Sequence, residues 1–366
     1  MNSLEKLRLL CLGDVAICED LSKQGSWQPP AGLKPDENTQ ILFNFEIPLG
    51  AQLNPLPRSS GPRFLAHPCA VETVKRWAPG FVALANNHIL DGEAEGLITT
   101  CEQLTRAGFK VVGAGFVGDQ HREVQIWENR CGSLAILNWV FPETHPEWDQ
   151  NPGPNCWKGL DYSCSLLSRY KKEVNWIVVV LHWSDELFAF PHPQDRLIAK
   201  GLAEQGADII IGHHPHVIRG WEQFGNCAVF YSLGNFYFSD IRDESGNWLV
   251  KEAPRNRESL GVEIHFSKGG KPQIFLHSFW RVDGQTKSDT FHRAERRLNA
   301  VSKPLQKLDI EVYPIWYQKK RQWFNRIGYR WHFRLHQLGT RQFFMTVAQK
   351  IRHTFIFPLK PQTRKP

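Results

Sequence analysis

The sequence has no run of about 20 apolar residues, which is the length that a membrane-spanning helix requires. Its first apolar run, residues 9–12, ends at Gly13 and Asp14 and is too short for the core of a signal peptide. None of the eight cysteines forms a CxxC pair or a zinc-knuckle spacing. We therefore expect buried thiols in a reducing compartment, and a cytoplasmic protein without a cysteine-based zinc module.

Acidic residues are missing from the end of the chain. Residues 316–366 contain 12 Lys or Arg and no Asp or Glu. Of the 44 Lys or Arg and 37 Asp or Glu in the chain, 32 basic and all 37 acidic residues lie in residues 1–315, which carry a net charge of −5. The formal net charge of +7 therefore belongs to the tail, and the main body is not a basic protein.

The residues that are present predict an α/β fold. Six short runs rich in Val, Ile and Leu predict buried strands that end in polar, glycine or histidine residues. They are LRLLCLGD, ILFNFE, FVALANNH, WIVVVLHW, ADIIIGHHPH and CAVFYSLGNF. Between them, residues 92–107 and 194–205 predict helices, each followed by a glycine that favours a helix end. Open α/β sheets bind ligands at the carboxyl ends of their strands, so we expect the functional site there.

Potential metal ligands follow these strands. They are Asp14, Glu46, Asn86, Asn87, His88, His182, His213, His214, His216 and Asn235. Because imidazole nitrogens dominate the set, it suits Zn, Mn or Fe better than Ca or Mg. Taken singly, Asp14 is also explained as a turn residue, and His182 as a hydrogen-bonded core histidine. The whole set is hard to explain by packing, so we expect one or two divalent ions that hold a phosphoryl group and activate water.

Several strings in the sequence resemble a known family. GDVAI, NFE, LANNHILDG, HWSDE, GADIIIGHHPHVIRGWE and YSLGNFYF resemble the CapA/PgsA-type bacterial poly-γ-glutamate capsule synthesis proteins, which are similar to calcineurin-like metallophosphoesterases. The resemblance runs from about Leu7 to Phe238 and implies two packed mixed β-sheets flanked by helices. It also implies a metal-dependent phosphoesterase-type hydrolase in the biosynthesis of poly-γ-glutamate capsule or another envelope polymer, with a phosphorylated or polyanionic substrate.

The resemblance also implies roles for single residues. The matching metal ligands are Asp14, Glu46, Asn87, His182, His214 and His216. Among them, Glu46 would bridge two metals. His88 matches a catalytic histidine that stabilises the phosphoryl transition state or protonates the leaving oxygen, and Asp91 would orient its ring. Metallophosphoesterases usually have a histidine two residues after the first aspartate, whereas this chain has Ala16, so one metal site lacks a ligand.

Four further residues near the strand ends have two interpretations each. Arg58 and Arg63 lie in a Gly/Pro-rich loop and either bind phosphate or a polyanionic chain through forked hydrogen bonds or are ordinary surface arginines. Asn235 either contacts the substrate or stabilises a turn. His213 either supports the metal ligands from outside or faces solvent.

The sequence leaves two alternatives to the phosphoesterase open. The first is a non-catalytic metal-binding scaffold subunit of a polymer synthesis or export complex, which the missing ligand at Ala16 favours. The second is a hydrolase that acts on γ-glutamyl bonds. The metal content of the purified protein and a panel of substrates distinguish these alternatives.

We divide the chain into a CapA-like metallophosphoesterase domain (1–285), a polar linker or excursion (286–315) and a basic, aromatic, helical tail (316–366). In the tail, apolar residues at 324, 327, 331, 335 and 338 trace one face of a helix flanked by arginines. Such a helix either lies on an anionic membrane surface, at the inner face of the membrane, or packs on the main body as a hairpin. We expect no nucleic-acid partner, because no nucleic-acid-binding motif accompanies the charge.

Overall fold

The computed structural model describes residues 6–21, 38–53, 62–77, 80–144, 150–243, 245–282 and 284–333. The strands are β1 (Leu7–Ala16), β2 (Thr39–Phe45), β3 (Gly80–Ala83), β4 (Lys110–Val112), β5 (Ala114–Gly115), β6 (Val124–Asn129), β7 (Gly132–Val140), β8 (Gly153–Pro154), β9 (Trp176–His182), β10 (Ile209–His213), β11 (Trp221–Phe224), β12 (Cys227–Phe230), β13 (Asn235–Phe238), β14 (Ile241–Arg242), β15 (Trp248–Val250), β16 (Glu258–Phe266), β17 (Gln273–Val282) and β18 (Gln285–Ser288). The helices are α1 (Ala70–Lys75), α2 (Glu93–Arg106), α3 (Gln120–Glu123), α4 (Leu160–Tyr170), α5 (Pro193–Glu204), α6 (Arg293–Lys307), α7 (Tyr313–Trp323) and α8 (Tyr329–His332), with a 3-10 turn at Pro254–Arg257 and a π-helical turn at Phe324–Gly328.

Two mixed sheets form the body of the protein. The first has the strand order β18-β17-β16-β1-β2-β3-β4, and β13 pairs with the end of β1. The second has the order β11-β12-β10-β9-β7-β6. Strands β1 to β4 run parallel, whereas β16 to β18 are antiparallel to their neighbours. All six predicted runs contain strands, and the predicted class, two packed mixed sheets flanked by helices, is confirmed.

Apolar cores cover both faces of the first sheet. Leu9 of β1 belongs to the core between the sheets, which also contains Ile211 of β10. Leu10 belongs to an outer core on the opposite face, together with Val74 of α1 and Leu97 of α2. Strands that are buried on both faces have nearly continuous apolar sequences, which is why β1, β9 and β10 can be recognised from the sequence.

The predicted linker at 286–315 is different in the structure, because residues 293–307 form α6. Ala294 and Leu298 of this helix belong to the core between the sheets, and Ser302 Oγ accepts a hydrogen bond of 2.9 Å from the Trp221 N–H. The buried positions follow a helical spacing, but charged side chains between them hide the pattern. Residues 293–307 therefore pack on the body as a helix, which the prediction of a polar linker or excursion did not include.

The chain divides into two compact units, residues 1–319 and 320–366. In α7, the buried Tyr313 donates a hydrogen bond of 2.8 Å to the Pro191 carbonyl, and the Trp316 ring lies 4.8 Å from that of Phe190. The first residues of the predicted tail, 316–319, thus belong to the first unit. Residues 334–366 lie outside the described residues, so the membrane and hairpin alternatives stay predictions. Among the residues described, no helix is both long enough and apolar enough to cross a membrane.

The eight cysteines are all free thiols. Cys11, Cys131, Cys156 and Cys227 are buried, and the other four are partly buried. Burial, followed by the nearby Glu19 charge, raises the pKa of Cys18 to about 12, so this thiol is protonated near neutral pH. The distribution is that expected for small packing residues.

A buried ion pair joins α5, β11 and α6. Arg196 donates two hydrogen bonds, of 2.8 and 2.6 Å, to the Glu222 carboxylate and a third, of 3.1 Å, to the Leu305 carbonyl. Removing one member leaves a buried charge uncompensated, so Arg196→Met should lower the free energy of unfolding by about 3–5 kcal/mol in a urea titration. The exposed pair Lys200–Glu204 on the same helix provides a control, and Lys200→Met should cost less than about 0.5 kcal/mol. Equal losses in the two variants would contradict this prediction.

Candidate metal centre

The first strand carries Asp14 to the edge where strands of both sheets end. Gly13 is required there, because a Cβ at this position would lie 1.9 Å from the Gly234 carbonyl oxygen. The Asp14 N–H donates a hydrogen bond of 3.0 Å to that same oxygen. The register shifts between Asp14 and Val15, and such irregularities re-aim side chains at strand ends. The glycine before the aspartate in the GDVAI string is therefore a steric requirement.

Asn44 and Glu46 lie beside Asp14 at the end of β2. The Asn44 Nδ2 donates hydrogen bonds of 2.9 Å to Asp14 Oδ1 and 3.3 Å to Glu46 Oε2, so one amide holds two buried carboxylates side by side. The sequence analysis did not single out Asn44. The available signal was its spacing from Glu46, since residues two apart along a strand project to the same face.

Two groups of potential metal ligands share Glu46. One group is Asp14, Glu46 and His216, and the other is Glu46, His182 and His214. Within each group, the ligand atoms lie within 4.8 Å of one another. Asn87 extends the second group, because its Oδ1 lies 2.9 Å from His182 Nε2. The six predicted ligands thus come together from the carboxyl ends of β1, β2, β3, β9 and β10.

The donor set fits a transition-metal ion. The rings of His182 and His214 are 4.7 Å apart, and burial, followed by the charge of a neighbouring imidazole, lowers the pKa of each well below its usual range. Both rings are therefore neutral near pH 7, which is the form that binds metals. His182 Nδ1, His213 Nε2 and His214 Nδ1 are buried without a hydrogen-bond partner among the described residues. Buried polar atoms without partners are costly, and ion binding at such lone pairs removes the cost.

His216 connects the two carboxylates of the first group. Its Nε2 lies 3.4 Å from Glu46 Oε1, and its Nδ1 lies 3.4 Å from Asp14 Oδ2. Burial alone would lower the pKa of His216, but the two carboxylates outweigh burial and raise it to about 10. Asn235 Oδ1 lies 2.9 Å from Nδ1, and Asn235 Nδ2 donates a hydrogen bond of 2.8 Å to Glu252. Both polar side-chain atoms of Asn235 thus contact protein groups, which favours a positioning role over the predicted substrate contact.

The histidine-rich segment after β10 has an unusual backbone. His214 and His216 have φ angles of 93° and 56°, which non-glycine residues rarely adopt and which often mark functional sites. The buried His213 does not face solvent, because its Nδ1 lies 2.7 Å from Asp14 Oδ1. Burial would raise the pKa of Asp14, but His213 and then His216 together outweigh burial and hold the pKa well below the usual range. Asp14 is therefore a carboxylate, and His213 supports it.

His88 and Asp91 form a pair in the loop after β3. A backbone hydrogen bond of 2.8 Å from the Asp91 N–H to the His88 carbonyl closes a turn, and the Asp91 Oδ2 lies 2.5 Å from His88 Nδ1. Asp91 also accepts hydrogen bonds of 2.9 Å from the Phe64 N–H and 3.4 Å from Arg63. The second predicted anion-binding residue, Arg58, lies outside the described residues.

Two more residues near the centre were not found from the sequence. Arg219 is fully buried, and its guanidinium binds the loop that follows β9. Glu186, in that loop, has a carboxylate oxygen within 4.8 Å of ring nitrogens of His214 and His216. Both residues stand in the quoted strings, but neither occupies a periodic or motif position that marks it as functional.

Comparison with known proteins places the chain in a family. The model of the family described as "Bacterial capsule synthesis protein PGA_cap" matches residues 8–240. The chain is 28% identical over 233 residues to "PGA biosynthesis protein CapA" of Bacillus subtilis (strain 168), which covers 63% of this chain and 58% of that protein. It is 27% identical over 283 residues to "Capsule biosynthesis protein CapA" of Bacillus anthracis, with 73% and 65% covered. The chain thus spans less than two thirds of each of these relatives.

Among solved structures, the chain is similar to a putative 5′-nucleotidase from Staphylococcus aureus. The TM-score is 0.47 at 13% sequence identity, over 81% of this chain and 58% of the nucleotidase.

The family match, over residues 8–240, covers more than half of the present sequence. It contains all residues of the two ligand groups that share Glu46, and it also contains His88 and Asp91. The predicted family is therefore confirmed, and the chain belongs to the bacterial capsule synthesis protein family PGA_cap.

Proposed function

We propose that the chain is a metal-dependent phosphoester hydrolase that acts in the metabolism of poly-γ-glutamate capsule or another envelope polymer. The observation that carries the proposal is the pair of ligand groups that share Glu46, with His88 and Asp91 close by. The names of the two Bacillus relatives support the polymer part of the proposal.

The residues divide into ligands and the groups that position them. One divalent cation would be held by Asp14, Glu46 and His216, and a second by Glu46, Asn87, His182 and His214. When bound, Mn, Zn or Fe ions supply positive charge to phosphoryl oxygens and make a water molecule a better nucleophile. Asn44 and His213 hold Asp14 in place, and Asn235 holds His216. Such supporting contacts fix ligand orientation and affect affinity about 10–100-fold.

In the proposed reaction, His88 is the residue that transfers a proton. The Asp91 carboxylate accepts the Nδ1 proton, so Nε2 is the ring atom available to a substrate. The same carboxylate stabilises a doubly protonated ring, which lets Nε2–H donate to a phosphoryl oxygen or to the leaving oxygen. Burial and then the charge of His216 lower the pKa of His214, the Asp14 carboxylate opposes them, and the nearby His88 lowers it further, so His88 lies within electrostatic range of the ligands.

Metal content and a substrate panel test the proposal. We expect about one to two equivalents of Mn, Zn or Fe per purified chain, and metal-dependent hydrolysis of 4-nitrophenyl phosphate or bis(4-nitrophenyl) phosphate. γ-Glutamyl 4-nitroanilide in the same assay measures the γ-glutamyl alternative. Less than about a tenth of an equivalent after metal supplementation would contradict the proposal.

Ala16 favours a second candidate function, a metal-binding scaffold in a polymer synthesis or export complex. Its methyl group belongs to the outer apolar core, so this position offers no ligand. In this case the protein would retain bound metal but hydrolyse no member of the panel.

A further inference from the structure

The loop after β9 places a carboxylate next to two of the histidines. Glu186 has a ligand oxygen within 4.8 Å of ring nitrogens of His214 and His216. Its side chain is exposed, whereas Asp14 and Glu46 are fully buried. Glu186 therefore reaches the ligand groups from the solvent side.

The backbone on both sides of Glu186 is fixed. The buried Arg219 donates hydrogen bonds of 2.6 Å to the Asp185 carbonyl and 2.9 Å to the Phe188 carbonyl. The Leu187 N–H donates a hydrogen bond of 2.8 Å to the carbonyl of Pro215, which lies between the two histidines. The loop that carries Glu186 and the segment that carries the histidines are thus joined directly.

This arrangement has a conformational cost. Ser184 and Leu187 have φ angles of 72° and 63°, a region that costs a non-glycine residue about 1 kcal/mol or more. Arg219 also donates a hydrogen bond of 2.7 Å to Ser184 Oγ, which helps to hold the strained loop. Strain of this kind persists where the surrounding structure enforces it, and it concentrates at functional sites.

The negative charge of Glu186 affects what the neighbouring site can bind. A carboxylate beside an anion-binding site repels a phosphate or polyglutamate substrate, unless a cation lies between them. Carboxylate oxygen is a suitable ligand for the same divalent ions that imidazole binds. Position 16, two residues after Asp14, presents a methyl group that is packed in the outer core and offers no ligand.

We propose that Glu186 is a metal ligand that acts together with His214 and His216 at the solvent side of the centre. The inference rests on the proposed function, because it requires that the two ligand groups bind cations. It assigns the loop after β9 to the metal centre and gives Arg219 the role of a positioning residue.

The test is a metal titration of the full chain. Purified, metal-free wild type, Glu186→Gln and Asp185→Asn are titrated with Mn²⁺ by calorimetry and with Co²⁺ by visible absorption. Asp185 is the matched control, since it is the adjacent exposed carboxylate on the same loop and belongs to none of the candidate ligand groups among the described residues. We expect Glu186→Gln to weaken one of two cation-binding events at least about tenfold and to change the Co²⁺ spectrum. Asp185→Asn should match the wild type.

The possible outcomes separate this inference from the proposed function. Two binding events of wild-type affinity in Glu186→Gln would overturn the role of Glu186 and leave the proposed function standing. Equal weakening in both variants would show a general effect of loop charge and would also overturn it. Absence of cation binding in the wild type would overturn both proposals.

Discussion

Replacing Glu46 by glutamine should reduce metal-dependent phosphoester hydrolysis at least about 10³-fold. Glu46 belongs to both ligand groups, so the neutral amide removes a negative charge from both cation positions at once. Two-cation chemistry supplies several kcal/mol of transition-state stabilisation, and each 1.4 kcal/mol corresponds to a tenfold change in rate. The measurements are kcat at saturating Mn²⁺ and metal content by mass spectrometry. Mn²⁺ should also raise the thermal midpoint of the wild type and not that of the variant.

Glu263 provides a matched control for this substitution. It is a largely buried carboxylate on β16 that also contacts two imidazoles, with 2.5 Å to His265 Nε2 and 2.8 Å to His277 Nε2. It belongs to none of the candidate ligand groups of the described chain. Glu263→Gln should therefore retain metal content and activity within about twofold. Full metal content and more than about a tenth of wild-type activity in Glu46→Gln would disprove the shared-ligand role.

His88→Ala should lower kcat by about 10²–10⁴-fold while metal content stays at the wild-type value. The reason is that the substitution removes the group that donates a proton and leaves both ligand groups intact. Asp91→Asn should cost less, about 10–100-fold, because the ring remains and loses its orientation. The measurements are kcat and metal content for both variants on one preparation series.

The comparison of these two variants identifies the role of each residue. If the histidine transfers the proton, a substrate with a better leaving group needs less help from it, so the loss in His88→Ala should shrink for such a substrate. A loss of metal in His88→Ala would instead indicate a ligand role. Unchanged turnover would exclude the proposed role altogether.

The sequence predicted those strands that are buried on both faces. The run WIVVVLHW is almost entirely apolar, because β9 lies in the middle of its sheet and all of its residues are buried. In contrast, β16 alternates polar and apolar residues from Val262 to Phe266, with Glu263 and the partly exposed His265 on one face, and most residues of β17 are only partly buried or exposed. The helix α6 was missed because polar and charged residues outnumber its four buried apolar positions, although these positions follow a helical spacing.

The sequence analysis identified some residues of the candidate site and missed others. Residues at the strand ends were identified because their types are costly to bury without a partner, and the structure brings the six predicted ligands into two overlapping groups. Glu186 and Arg219 act through partners in other segments of the chain, so no local spacing marks them, whereas the spacing of Asn44 from Glu46 was a signal that the sequence analysis did not use. The contact of Asn44 with Asp14 depends on the pairing of β1 with β2, and the contacts of Arg219 depend on how the segment after β10 packs on the loop after β9.

The candidate ligands come from both sheets, so the distance between the sheets determines how far the ligands of one sheet lie from those of the other. Asp14 lies near the end of β1 and Glu46 follows β2, both in the first sheet, whereas His182 is the last residue of β9 and His214 follows β10 in the second. The interdigitated side chains between the layers act as a spacer whose thickness is fixed by close packing. In the proposed metal centre, a change of one methylene group in this layer, far from any ligand, would shift one half of the centre against the other and so alter cation binding as well as stability.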